Sequence, residues 1–130
     1  MSVATQGNGL YALLKTEEDP DGTVTETFSS SEGVASAWGP MQHGGPVSGI
    51  LTRAMERCSP RPGTRLSRIT IEILGAVPID EIRVRATVVR PGRRIELIHA
   101  VLEARDAAGE WRAAATGAAW RLATQDTTDV

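Results

Sequence analysis

Apolar residues recur along this chain with two periods. Val47, Ile50, Leu51, Ala54, Met55 and Cys58 form one stripe at helical spacing, with Ser48, Thr52, Arg53, Glu56 and Arg57 off it. The pattern predicts a helix from Pro46 to Cys58. Proline suits the first helical position, where its missing N–H costs nothing, and Ser59-Pro60-Arg61-Pro62-Gly63 stops the run. Elsewhere the period is two. Leu10–Leu14 and Thr23–Phe28 flank Asp19-Pro20-Asp21-Gly22, where proline presets φ and glycine accepts a positive one, so a hairpin is predicted. Ile69, Ile71 and Ile73 alternate with Arg68, Thr70 and Glu72, the mark of a half-buried strand. Ile82, Val84, Ala86 and Val88 alternate with Arg83, Arg85 and Thr87 before a turn at Pro91-Gly92-Arg93. Ile95–Ala104 is apolar on nearly both faces, as a central strand covered twice would be. Asp106–Gly109 turns into an alanine-rich strand from Trp111 to Leu122.

Between these elements, Ser29–Ser36 reads as a polar connection. Ala37–Pro46 is too rich in glycine and proline for helix or strand. The predicted order is two strands, one long helix, then a four-strand antiparallel meander. Such segregation defines the α+β class, with a curved antiparallel sheet of five to six strands wrapped around the helix. Residues 1–123 form one domain on this reading, and 124–130 a polar tail that frays.

Composition narrows the function. With 41% hydrophobic and 23% charged residues, the chain is neither disordered nor a disulfide-stapled miniprotein. No apolar run approaches the roughly 20 residues of a membrane span, and the polar N-terminus shows no signal peptide. The single cysteine, Cys58, forms no intrachain bridge and suits a reducing cytoplasm. Charge is uneven: residues 1–35 set one base against six acids, and residues 36–105 set eleven arginines against six. Without a net basic excess or interleaved aromatics, nucleic acid is not the expected partner. One cysteine and two separated histidines supply no metal site, and no phosphate-binding or dinucleotide motif implies a cofactor.

The segment Trp38-Gly39-Pro40-Met41-Gln42-His43-Gly44-Gly45-Pro46, with the helix and arginine-punctuated strands that follow it, resembles the acyl-CoA thioesterase family with the hotdog fold. More narrowly, it is similar to the N-terminal half of double-hotdog, thioesterase-II-like proteins. The resemblance implies an acyl-CoA or related thioester substrate. It also implies a site where two hotdog units meet, in a homodimer or against a second domain. Gly44 and Gly45 would offer backbone amides to the oxyanion that forms on the thioester carbonyl, at a helix N-terminus whose dipole favours negative charge. The plainer alternative is that they only permit a tight entry into the helix.

His43 is expected to support the loop rather than act as a base, since no carboxylate is evident to orient it. Several single-hotdog relatives carry Asp or Glu nine residues after the motif histidine; here that position is Thr52, which can only position water. Glu56, one turn further along, could face the same cleft. On the thioesterase reading Trp38, Met41 and Gln42 contact substrate, the first two walling the acyl channel. Arg93 and Arg94 hold the coenzyme A phosphates, or else simply form a solvated turn. His99 is expected to be structural and Cys58 a small core residue. Two functions remain open: a thioester hydrolase, or a non-catalytic acyl-CoA-binding or pairing half that leaves the chemistry to a partner.

Overall fold

The computed structural model describes residues 9–37, 39–126 and 128. Strands β1 (Tyr11–Glu18) and β2 (Val24–Ser30) form the predicted hairpin. Its turn closes through a Gly22 N–H to Asp19 C=O bond of 2.9 Å, with Gly22 at φ 89°. A single 3-10 turn, Glu32–Val34, follows, and then a small two-stranded ribbon of β3 (Ala35–Ser36) and β4 (Gly39–Gln42). Helix α1 runs from Gly44 to Arg57, followed by β5 (Thr64–Ile73), β6 (Ile82–Arg90), β7 (Ile95–Arg105) and β8 (Trp111–Ala123).

The six long strands form one antiparallel sheet in the order β1-β2-β6-β7-β8-β5. Helix α1 lies on one face, with Val47, Ile50, Leu51, Ala54, Met55 and Cys58 buried as the stripe requires. Ile82, Val84, Ala86, Ile98, Ala100, Leu102 and Ala119 meet them from the sheet. Small residues line β8 because the helix approaches closely: a Cβ at Gly117 would sit 3.0 Å from Met55 Cε.

Five expectations are corrected. The last four strands are not a meander, because β5 crosses to pair with β8 and leaves only β6–β7–β8 sequential. Ile69 and Ile73 alternate as predicted but remain 41% and 52% exposed, since β5 is an edge strand. β7 is covered on one face only, and its outer face leaves His99 exposed. The glycine- and proline-rich segment contains a strand after all. β4 is held by the Gln42 N–H to Val77 C=O bond of 2.8 Å and by bridging of Met41 to Pro78, contacts that local propensity does not register. Gly44 and Gly45 belong to the helix, so Pro46 occupies its third position rather than its first.

Several of the strand arginines are paired rather than merely solvated. Arg83 and Arg85 reach Glu103, and the Arg83 and Arg105 guanidinium carbons lie 4.6 and 4.1 Å from the centre of the Trp111 ring.

Candidate active site at the helix N-terminus

His43 is the N-cap of α1, with extended φ and ψ of −88° and 167°. Its Nδ1 accepts the Gly45 N–H at 3.2 Å, which places the ring proton on Nε2. The His43 N–H donates to the Val34 C=O at 3.0 Å, anchoring the cap to the 3-10 turn. Val34 is fully buried, although the sequence reads its neighbourhood as a polar connection. Of the two glycine amides, Gly45 is therefore engaged by the cap. Gly44, the first residue of the helix, has no acceptor for its N–H among the described residues. Glycine is required at 45, where a Cβ would stand 2.8 Å from His43 Cε1; at 44 it would meet only Ile73 Cδ1 at 3.5 Å.

Gln42 holds this corner together. Its Oε1 accepts the Tyr11 hydroxyl at 2.6 Å, and its Nε2 donates to Ser30 Oγ at 3.0 Å and Pro78 C=O at 2.9 Å. Ser30 passes its own proton to Asp80 C=O. The buried amide is thus fully occupied within the chain, with its polar atoms turned to the protein. Burial raises the Tyr11 phenol well above the ordinary tyrosine range.

A cleft of about 590 Å³ opens beside this cap, lined by Leu10, Tyr11, Gly33, His43, Gly45, Pro46, Gly49, Ile50 and Arg53. At its far end Arg53 donates to the buried Glu26 at 2.8 Å and lies 5.4 Å from the Phe28 ring centre. Among the described residues no carboxylate lines the cleft.

The expected site residues divide. His43 and Gly45 border the cleft, with Gly44 between them at the helix start. Met41, on β4 with its backbone bridged to Pro78, and Gln42 do not line the cleft. Thr52 lies about 12 Å along the axis from Gly44 and outside the cleft, its hydroxyl donating to Ser48 C=O at 2.9 Å. Glu56 lines a separate polar cavity with Arg61, Arg65 and Arg121. Arg93 and Arg94 are at the opposite end of the helix: Arg61, just beyond that end, donates to the Gly92 and Arg93 carbonyls at 3.0 and 3.3 Å. One chain does not bring them near Gly44. Trp38 lies outside the described residues.

Sequence reading missed Tyr11, Gly33, Gly49 and Arg53. Only Gly49 left a local signal, a lone glycine inside an otherwise regular helical pattern.

One helix cradled by a six-stranded sheet of this order is the hotdog fold. The family model for the acyl-CoA thioesterase N-terminal domain matches residues 34–122, and the chain belongs to that family. Solved structures agree in fold. A thioesterase family protein from Silicibacter pomeroyi superposes with a TM-score of 0.73 at 24% identity, over 86% of this chain and 85% of that one. A Bacillus halodurans protein crystallised with CoA gives 0.70 at 17% identity, over 86% and 74%. A phenylacetic acid degradation-related protein from Ralstonia eutropha gives 0.70 at 14%, over 86% and 83%. No curated protein sequence matches the chain.

Proposed function

We propose that the protein hydrolyses acyl-CoA thioesters, with the Gly44 amide as the principal oxyanion donor. The observation that carries this reading is the unengaged Gly44 N–H at the head of a 14-residue helix in a chain of this family. As water adds to the thioester carbonyl, negative charge collects on its oxygen. A fixed amide and the helix dipole stabilise that charge without reorganising. His43 acts as a positioning residue, because the nitrogen that could take a proton already accepts the Gly45 N–H. Thr52, outside the cleft and with its hydroxyl donating to Ser48 C=O, does not reach a carbonyl held at Gly44 of the same chain, so any water it orients belongs to a second unit's site.

With no carboxylate among the described residues of the cleft, the acceptor of the water's proton comes from bulk solvent or from a second hotdog unit. We assign that unit to a dimer joined through the β5 edge, in the cytoplasm, to which the lone free thiol is suited. Thr52 supports the second reading, a pairing half in which the chemistry belongs to the other unit.

A Gly44→Pro variant isolates the key amide. It deletes one N–H, proline is favoured at the first helical position, and His43 already has the extended backbone that precedes proline. Turnover should fall about 100- to 1000-fold, or ~2.7–4 kcal/mol, with KM nearly unchanged. Thr52→Ala should cost less. His43→Ala should act mainly by weakening the helix cap, by about 1 kcal/mol of stability. The assay is release of free CoA from a range of acyl-CoAs. Near-normal turnover in Gly44→Pro would remove the oxyanion assignment, and His43→Ala as the most damaging change would restore histidine as the base. Binding of acyl-CoA without release would favour the pairing half.

A further inference from the structure

Gly49 has no explanation within the chain. It sits in the interior of α1, where every residue but proline is better tolerated than glycine. It is not among the glycines with positive φ, and a Cβ placed on it would meet nothing within 4 Å. Gly45 and Gly117 differ, since added Cβ atoms there would collide with His43 and Met55. Neither backbone conformation nor packing therefore asks for glycine at 49. The space it leaves is part of the 590 Å³ cleft that begins at His43 and Gly45.

We infer that this cleft receives the acyl group of the substrate, and that Gly49 sets how large a group is accepted. The inference rests on the thioesterase reading for where the carbonyl lies. The walls favour an apolar occupant, with Leu10, Tyr11, Pro46 and Ile50 in the lining. Several of its polar atoms are engaged elsewhere, the Tyr11 hydroxyl by Gln42, His43 Nδ1 by Gly45, and Arg53 Nη1 by Glu26. The Arg53 charge is already matched by the buried Glu26, so along the helix face recognition is chiefly by shape and burial. From Gly45 to Arg53 the cleft follows eight residues of helix, about 12 Å. That length suits a medium-chain apolar acyl group, whereas an acetyl group would leave most of the cleft empty.

The test uses the full chain, Gly49→Ala and Gly49→Leu. Release of CoA is measured across saturated acyl-CoAs from acetyl to dodecanoyl. Binding of the matching S-alkyl thioether analogues, which cannot be hydrolysed, is measured by calorimetry. Wild type should favour medium chains. Gly49→Leu should lose about tenfold or more, in kcat/KM and in thioether affinity, for medium chains while acetyl-CoA changes less than about twofold. Gly49→Ala should fall between and melt at a higher temperature than wild type, because alanine favours the helix. Uniform loss at all lengths, or no loss at any, overturns the assignment of the cleft. If wild type binds the thioethers but releases no CoA, the hydrolase reading fails while a length-dependent affinity loss in Gly49→Leu still supports the cleft. Absence of thioether binding by wild type overturns both.

Discussion

Tyr11 makes its hydrogen bond to Gln42 as a neutral phenol, and burial resists loss of its proton. A group whose folded pKa is raised contributes stability that is intact below its unfolded value and drains away as pH climbs beyond it. For tyrosine that unfolded value is about 10. Thermal unfolding should therefore weaken more steeply between pH 9 and 11 in wild type than in Tyr11→Phe. Parallel curves would mean the phenol titrates alike in both states. The same residue shows what sequence could not supply. A tyrosine in an alternating strand is unremarkable until the fold brings Gln42, 31 positions away, to its hydroxyl. For His43 the sequence offered only the want of a carboxylate partner. Its use as a helix cap depends on a backbone angle that no motif encodes.

At the level of elements, the apolar stripe from Val47 to Cys58 was fully readable, because burial of one helix face imposes the period. Its C-terminal end was readable too, to within a residue, from the run Ser59–Gly63, whereas its start was not, because the His43 cap is fixed by a tertiary bond to Val34 C=O. At the C-terminal end Ser59 adopts a left-handed φ of 44°, a conformation usually left to glycine. Arg121, from β8, stabilises it by donating to the Cys58 and Ser59 carbonyls at 2.9 and 3.1 Å, while Glu96 neutralises the buried guanidinium at 2.8 Å. Arg121→Met should leave Glu96 with only the half-exposed Arg61 and the last helical carbonyls without donors. We expect a loss of about 3–5 kcal/mol in urea unfolding. A loss below about 1 kcal/mol would show that the cluster is replaceable by water. Strand alternation had a different limit: it reports which residues share a face, but not whether that face lies at the centre or the edge of the sheet. Ile69 and Ile73 were misjudged for that reason.

Across the whole molecule, the two ends of α1 differ in chemistry. The N-terminal end has an open amide and an apolar cleft; the C-terminal end gathers Arg57, Arg61, Arg93 and Arg94. Along the β5 edge between them run unpaired backbone groups, with Ile69, Ile73 and Leu74 exposed, Leu74 to 60%. An edge of this length and character favours pairing with another chain. Sedimentation should find dimers at micromolar concentration, and Ile73→Lys should shift them to monomer without loss of helical signal. A monomeric wild type across that range would rule out the β5 pairing. A charge on the outer face, such as Ala118→Lys, should leave the assembly unchanged.

Cys58 closes the helix stripe at 1% exposure, and burial raises its thiol above the ordinary range. Thiolate is the reactive form, so alkylation requires both access and ionisation, and the folded molecule withholds both. Because the chain has no other cysteine, its rate of modification reports how often the helix leaves the sheet. The native protein thus contains an intrinsic clock for its own opening, readable by mass without any label and in the presence of bound ligand.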